Sequence, residues 1–313
     1  MLGSAWLVRH IEEDKKYVAK KVILEGLGQK EQASCMMEAG LLKNLNHPNI
    51  VAYKESFLGN NSLIIIMEYC EVGDLAYHIK RKQQQNATFT ESEVFHWFIQ
   101  ICMALEYVHS RKIIHRDIKT QNVFITGSKT IKVGDFGISK VLESTTQVAM
   151  TVVGTPYYMA PEACQSDPYT SKSDVWALGV ILFELCALKQ PFQADNLLGL
   201  VFKIVQDDPE PIPDMYSAEL RELVKKLMTK NPAERPSTAE ILKMDYVRDR
   251  MQRFVEDAEM ENNLANPVFK KQRPTIRRVP TVENNKVNFN PSQAENMATT
   301  NSAIPEAQTL TPA

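Results

Sequence analysis

Two short motifs between residues 115 and 137 constrain this chain more than any other feature of its sequence. The first is H-R-D-x-x-x-x-N from His115 to Asn122, and the second is D-F-G from Asp135 to Gly137. A carboxylate such as Asp117 can accept a proton from a reacting hydroxyl group. The oxygens of Asn122 and Asp135 are of the hard kind that Mg²⁺ prefers. Either motif alone is weak evidence, but both occur in this order, and A-P-E follows at 160–162.

This combination resembles the catalytic and metal-binding signatures of eukaryotic protein kinases. The resemblance implies an α+β, bilobal protein-kinase fold. Its small N-lobe is β-rich, its larger C-lobe is mainly helical, and a disordered C-terminal tail follows. The resemblance also implies ATP and Mg²⁺ as cofactors, and transfer of the ATP γ-phosphate to serine and threonine hydroxyls of protein substrates.

Longer stretches resemble one branch of these enzymes, the NIMA-related kinases, over residues 3–250. They are the segments 47–51, 67–75, 115–124, 153–162, 172–179 and 231–236. This closer resemblance implies serine/threonine specificity and a role in cell-cycle, microtubule or ciliary regulation.

The pattern of apolar residues divides the chain into zones. A kinase domain is predicted over 1–250, with an N-lobe over 1–70 and a C-lobe over 71–250. In the N-lobe, strands are predicted at 5–9, 17–23 and 63–67 and a helix at 29–45. In the C-lobe, helices are predicted at 95–109, 174–188 and 218–229. We expect a helical extension over 251–262 and a disordered tail over 263–313, where Asn, Thr, Pro, Gln and Ser dominate.

Asp117 is the predicted catalytic base. It should lie on a loop held by a rigid scaffold, and positioned proton transfer contributes roughly 10²–10⁴-fold to a rate. Lys119 is at the position where related serine/threonine kinases carry a lysine that approaches the transferring phosphate. Asn122 and Asp135 are the predicted Mg²⁺ ligands.

A lysine upstream of these motifs must reach the ATP phosphates, and Lys20 and Lys21 are both candidates. Strand alternation places Lys20 on the same face as Val18, which suits a surface over adenine. The V-A-x-K motif taken literally selects Lys21 instead, and we favour Lys20. The resemblance also implies an ion pair between this lysine and a glutamate on the next helix. Glu38 fits that position, and Glu31 at the helix start is the alternative.

The resemblance further assigns the nucleotide site. Segment 67–70 corresponds to the hinge between the lobes, where Met67 guards the back pocket and the backbone at Glu68 and Cys70 faces adenine. Asp74 is expected near the ribose. The other expected nucleotide contacts are Gly3, Ala5, Val18 and Phe124. Without the resemblance, segment 63–69 is only a buried strand that leads into a loop.

Residues 135–162 are predicted to form an activation loop. Thr151 is the predicted activating phosphosite, because phosphate on such a loop can pair with an arginine and order the loop. Arg116, beside the catalytic aspartate, is the expected partner. Thr155 is expected to position the peptide and the catalytic loop.

Two further assignments come from the resemblance. Glu162 and Arg235 should form a buried ion pair with a structural role. Ile138 directly follows the D-F-G motif, and a β-branched residue there is associated with threonine as the phosphate acceptor.

The glycine-rich loop departs from the pattern of related chains. They carry G-x-G-x-F-G-x-A-W-L-V, whereas here only the last glycine, Gly3, precedes A-W-L-V at 5–8. Those glycines let backbone N–H groups close over the phosphates. We therefore expect a missing first strand and an N-terminally truncated chain. The alternative function is a pseudokinase-like scaffold with weak or no ATP turnover.

Composition bears on the partners and the location of this 313-residue chain. The formal net charge of −2 favours neither nucleic acid nor an anionic membrane as a partner. The five cysteines are scattered and contain no C-x-x-C pair, as is typical of reduced thiols. No apolar stretch approaches the ~20 residues that span a bilayer. We expect a cytoplasmic protein, associated with the cytoskeleton or a cilium on the strength of the resemblance, and a nuclear location stays open. The sequence indicates no oligomeric state.

Overall fold

The N-lobe is an antiparallel sheet with one helix. A computed structural model describes residues 3–136 and 156–253, except for the side chains of Glu31, Ser34 and Glu38. The strands are β1 (Gly3–His10), β2 (Lys15–Ile23), β3 (Tyr53–Gly59) and β4 (Ser62–Glu68), in the order β1-β2-β4-β3. Helix α1 (Gln29–Lys43) contacts β3 and β4. The predicted β-rich N-lobe is confirmed.

Strand β2 separates its side chains onto two faces. Tyr17 and Ala19 are buried, whereas Val18 and Lys20 are only partly buried. Lys20 lies opposite Ala5 on β1 and opposite Ile65 on β4. Because successive side chains of a strand point to opposite faces, Lys20 lies on the face opposite to the buried Ala19.

A second, small sheet joins the lobes. It contains β5 (Gly73–Asp74), β6 (Val123–Ile125) and β7 (Ile131–Val133), in the order β5-β6-β7. The chain after α1 attaches to β7, because Val51 N–H donates to Val133 O at 2.9 Å and Val133 N–H donates to Asn49 O at 2.8 Å. The buried Asn49 amide also donates to Gln100 Oε1 at 2.8 Å. The loops at the ends of this sheet carry both sequence motifs.

The C-lobe is mainly helical, as predicted. Its helices are α2 (Leu75–Gln84), α3 (Glu91–Ser110), α4 (Pro161–Cys164), α5 (Ser171–Ala187), α6 (Leu197–Gln206), α7 (Ala218–Leu227) and α8 (Thr238–Ile241). Residues 245–253 are also helical. Helix α5 forms the centre of the lobe, and Gly179 lets α7 approach it. A Cβ added at Gly179 would lie 2.8 Å from Leu227 Cβ, which is closer than real contacts allow.

The predicted elements match the structure, with differences at their ends. The predicted strands lie within β1, β2 and β4. Helix α3 begins four residues before the prediction, because Thr90 and Glu93 form a capping box ahead of its apolar residues. Of the predicted extension over 251–262, residues 251–253 are helical, and the rest lies outside the described residues together with the tail. Among the described helices, none combines the length and apolarity that a bilayer crossing requires.

Glu162 and Arg235 form an ion pair inside the C-lobe. Arg235 Nη1 and Nη2 donate to the two carboxylate oxygens of Glu162 at 2.9 and 3.0 Å. The Arg235 side chain is 0% exposed and that of Glu162 is 5% exposed. Ser173 Oγ donates a further hydrogen bond to Glu162. Burial acts to raise the pKa of Glu162, but the hydrogen bonds and charge of Arg235 hold it below its ordinary value.

Removing one partner of this pair should be far more damaging than breaking a surface pair. Arg235→Met leaves a buried carboxylate without its partner, and we expect it to lower the free energy of unfolding by about 3–5 kcal/mol. The control is Arg221→Met, which breaks the pair of Arg221 with the fully exposed Asp214, and should cost no more than about 1 kcal/mol. Urea denaturation measures both values. Equal losses in the two variants would contradict the structural role of the buried pair.

Candidate active site

The H-R-D motif forms a loop in which three side chains meet. Asp117 Oδ2 accepts hydrogen bonds from Lys119 Nζ and from Asn122 Nδ2, each at 2.8 Å. Asn122 Nδ2 also donates to the main-chain oxygen of Asp117 at 2.8 Å. The loop therefore brings the predicted base, the predicted phosphate-approaching lysine and one predicted metal ligand within hydrogen-bonding distance.

A buried carboxylate, Asp174, holds the backbone of this loop. Asp174 is on the first turn of α5 and is 0% exposed. Its Oδ2 accepts from the backbone N–H of His115 at 2.9 Å, and its Oδ1 accepts from that of Arg116 at 3.0 Å. Tyr169 OH and His109 Nε2 donate to it as well, each at 2.8 Å.

These donors stabilise the charged form of Asp174. Burial acts to raise its pKa, but the hydrogen bond from His109 and the further charges and donors around it hold the pKa below its ordinary value. The backbone at Arg116 has a φ of 67°, in the left-handed region that non-glycine residues rarely adopt. Such a conformation persists only where the surrounding contacts impose it, and the carboxylate of Asp174 is the contact that does so.

His115 links the two motifs. It is completely buried, its Nδ1 accepts from Asp117 N–H at 3.3 Å, and its Nε2 is 3.0 Å from Gly134 O. Its ring also packs on Phe136, with the ring centroids 4.4 Å apart. Burial lowers the pKa of His115, which favours the neutral ring, and this hydrogen-bond pattern places its proton on Nε2. The position of the D-F-G backbone is therefore set from the H-R-D loop.

Asp135 lies beside the lysine of β2. Lys20 Nζ is 3.1 Å from Asp135 Oδ1, and both side chains are partly exposed. The backbone of Asp135 is also left-handed, with a φ of 52°. Of the two candidate lysines, the structure thus brings Lys20 to the motif. Glu38 lies on α1, but its side chain is outside the described residues, as is that of Glu31.

The donor set fits a magnesium–nucleotide complex. Both hydrogens of Asn122 Nδ2 are directed to Asp117, which leaves Asn122 Oδ1 as the oxygen that a cation would meet. Asp135 supplies a carboxylate with the positive Lys20 beside it. Within residues 3–136 and 156–253, no three His, Cys, Asp or Glu side chains converge as a metal cage. Oxygen ligands of this kind suit Mg²⁺, which takes its remaining ligands from water and phosphate.

The predicted hinge over 67–70 begins with the last two residues of β4 and continues beyond the strand. Met67 lies opposite Val18 in the sheet, and the Glu68 carboxylate accepts from Ala52 N–H at 3.1 Å and pairs with Lys132 at 3.0 Å. Cys70 is buried, and burial raises the pKa of its thiol to about 12. The thiol therefore stays protonated near neutral pH.

Four of the expected nucleotide contacts have structural partners. Asp74 Oδ1 caps α2 by accepting from Tyr77 N–H at 2.7 Å, a role that the sequence analysis did not assign. The Phe124 ring lies against Gly134, where an added Cβ would be 3.0 Å from it. Ala5 lies opposite Lys20, and Gly3 lies opposite Val22 at the start of β1. The structure thus places Ala5 next to the strand of the favoured lysine.

The sequence does not predict two sets of residues that position the H-R-D loop. Thr120 Oγ1 and Tyr158 OH are 2.7 Å apart, and Tyr158 OH donates to Glu184 Oε2 at 2.5 Å. This chain of hydrogen bonds ties the H-R-D loop to the segment before α4 and to α5. The role of Asp174 is not predicted either, because an acid on the first turn of a helix is usually explained by the helix dipole alone. Thr151, Thr155 and Ile138 lie outside the described residues.

The chain belongs to the protein kinase family, and within it to the NIMA-related branch. The protein kinase domain family matches residues 1–247. The chain is 47% identical over 253 residues to the serine/threonine-protein kinase Nek1 of Mus musculus. The aligned residues cover 81% of this chain and 21% of Nek1. It is 44% identical over 268 residues to Nek4 of Mus musculus, covering 84% of this chain and 34% of Nek4. For Nek3 of the same species it is 46% identical over 240 residues, 77% of this chain and 46% of Nek3. The chain therefore spans less than half the length of these curated relatives.

The two neighbouring lysines of β2 give a matched test of the site. We expect Lys20→Met to weaken binding of an ATP analogue with Mg²⁺ roughly tenfold or more, because a charge-assisted hydrogen bond is lost. Lys21→Met, one residue along the same strand, should leave the affinity within about twofold. Titration calorimetry with the non-hydrolysable analogue measures both. A larger loss in the Lys21 variant would assign the phosphate contact to Lys21 instead.

Proposed function

We propose that this protein kinase domain transfers the γ-phosphate of ATP to serine and threonine hydroxyls of proteins, with threonine favoured. One observation carries the proposal. Asp117, Lys119 and Asn122 meet on a loop anchored in the core, and His115 connects that loop to the backbone before Asp135. These are parts that phosphoryl transfer needs, and the hydrogen bonds of Asp117 and His115 link them.

Each side chain has its own role in the proposed transfer. Asp117 accepts the proton of the substrate hydroxyl, and its two neighbours, Lys119 and Asn122, hold its carboxylate in place. Asn122 and Asp135 would hold Mg²⁺, and Lys20 would contact the phosphates. When bound, ATP with Mg²⁺ supplies the phosphoryl group, and the metal neutralises charge that develops on it. Because the loop is fixed before substrate arrives, little reorganisation remains for the reaction itself.

Regulation and biological role extend the proposal. Phosphate on Thr151 pairs with Arg116, whose backbone is already fixed by Asp174. The preference for threonine rests on Ile138. The resemblance to NIMA-related kinases supports a role in cell-cycle, microtubule or ciliary regulation, and a cytoplasmic location with cytoskeletal or ciliary association.

Substitution of the base tests the proposal. We expect Asp117→Asn to reduce phosphate incorporation from labelled ATP–Mg²⁺ into a generic acceptor protein by roughly 10²–10⁴-fold, since proton transfer is lost while the shape is kept. Phosphoamino acid analysis of the product should give phosphothreonine in excess over phosphoserine. Asp214→Asn, which changes a fully exposed carboxylate, is the control and should keep the rate. Incorporation that survives Asp117→Asn, or no incorporation by the unaltered chain, would contradict the proposal.

A further inference from the structure

Polar contacts continue from Asp174 in the direction away from the catalytic loop. His109, near the end of α3, donates from Nε2 to Asp174 at 2.8 Å, and its Nδ1 is 3.3 Å from Thr238 Oγ1. Thr238 is the first residue of α8, and its hydroxyl donates to Glu106 Oε2 at 2.6 Å. We call these four residues the Asp174–Glu106 network. It joins α5, α3 and α8, and the function proposed above uses only Asp174.

The Asp174–Glu106 network lies mostly inside the C-lobe. Asp174 is 0% and Thr238 1% exposed, and the His109 side chain is 8% exposed. Glu106 is partly buried. Because buried polar atoms are almost always hydrogen-bonded, each contact of the network must hold a hydrogen between its two atoms. The position of each hydrogen then follows from what the groups can donate.

The available hydrogens determine the charge of the histidine. Asp174 accepts from four donors, so it is ionised, and the hydrogen of its contact with His109 is on Nε2. The Thr238 hydroxyl has one hydrogen, and the contact with the Glu106 carboxylate uses it, because a carboxylate only accepts. Thr238 Oγ1 can then only accept from His109, which places a hydrogen on Nδ1 as well. A ring with hydrogens on both nitrogens is a cation.

Two carboxylates favour this cation. Asp174 contacts one ring nitrogen of His109 directly, and Glu106 is separated from the other nitrogen only by the Thr238 hydroxyl. An opposite charge within about 4–6 Å favours the charged form of a titratable group. The ring therefore lies between two negative groups in an interior where their effect is weakly screened.

The other titratable groups packed around the network do not oppose this charge. Burial lowers the pKa of His115, and it raises the pKa values of Tyr169 and Cys102. All three are therefore uncharged near neutral pH. On α8, the carboxylate of Glu240 is 3.9 Å from the ammonium of Lys172, so these two charges offset each other. Glu106 and Asp174 remain as the charges that act on the ring.

We propose that Glu106 and Thr238 hold His109 in its cationic form, and that these three residues position the catalytic loop through Asp174. The inference rests on the proposed function, because it adds positioning residues to the same reaction. A cationic donor binds a carboxylate more strongly than a neutral donor does. Loss of the second proton of the ring therefore weakens a bond that holds Asp174, and the H-R-D backbone is then less firmly placed.

Substitutions of Thr238 and Glu106 test the proposal. Thr238→Val keeps the shape of the side chain but removes the acceptor for the Nδ1 hydrogen, whereas Thr238→Ser keeps the hydroxyl. Glu106→Gln keeps a hydrogen-bond acceptor and removes the charge. Thr88→Val is the control, because Thr88 is exposed. Thermal unfolding shows that each variant is folded.

Nitrogen-15 NMR of the histidine side chains measures the protonation of both ring nitrogens. The chain has six histidines, and the signals of His109 are identified by their absence from His109→Gln. We expect both nitrogens to be protonated at pH 7 in the unaltered chain, in Thr238→Ser and in Thr88→Val. In Thr238→Val and Glu106→Gln, the ring should lose its second proton at a pH lower by roughly one unit or more, because an interaction with a charged group is lost.

Phosphorylation rates at several pH values show whether this proton matters to transfer. We expect Thr238→Val to lower kcat roughly five- to tenfold at pH 8, with the KM for ATP within about twofold. The ratio of its kcat to that of the unaltered chain should return toward one as the pH is lowered, because the proton returns to the ring. Thr238→Ser should keep the rate at every pH. A packing defect alone would give the same ratio at every pH.

Several results would overturn the proposal. They are a neutral His109 ring in the unaltered chain at pH 7, the same ring titration in Thr238→Val as in Thr88→Val, and a kcat ratio that does not depend on pH. If the unaltered chain transfers no phosphate, the proposed function fails, and NMR decides the network separately. The backbone amide signals of His115 and Arg116 should then shift in Thr238→Val but not in Thr88→Val. Identical amide signals in the two variants would overturn the positioning role.

Discussion

The site depends on one buried carboxylate. Asp174 accepts hydrogen bonds from the backbone of His115 and Arg116 and from the side chains of Tyr169 and His109. An unpaired buried charge would be strongly destabilising, and here four donors surround it. The same bonds hold Arg116 in a left-handed conformation. Without these hydrogen bonds, the left-handed conformation of Arg116 would be unfavourable. The loop would then not keep the shape that exposes Asp117 to a substrate.

A series of contacts connects Asp174 to both halves of the site. The carboxylate of Asp174 fixes the backbone at 115 and 116, and the next residue is Asp117, the proposed catalytic base. His115 then contacts Gly134 O and the Phe136 ring, which sets where the D-F-G segment begins. Asp135 in turn meets Lys20 of the N-lobe. Groups far apart in the sequence therefore form one site, because each contact fixes the backbone that presents the next.

The sequence was sufficient for the motifs and for the main helices and strands. The local sequence determines those features. Alternating side chains predict β2, apolar residues at helical spacing predict α3 and α5, and residue spacing identifies the H-R-D motif. It was not sufficient for Asp174, Tyr158 or Glu184, because their roles come from contacts between segments that no local pattern encodes. The choice of Lys20 over Lys21 is only partly determined by the local sequence. Strand alternation favoured Lys20, and the contact with Asp135 now places it at the site.

The most direct measurement is a mutant cycle between the anchor and the base. Single-turnover phosphorylation rates would be compared for the unaltered chain, Asp174→Asn, Asp117→Asn and the double variant, with thermal unfolding to show that each is folded. If Asp174 acts by positioning Asp117, its single substitution should slow transfer, and the double variant should be no slower than Asp117→Asn alone, since residues that act as a unit are non-additive. Losses that multiply, or an Asp174→Asn variant that transfers phosphate at the full rate, would contradict the account.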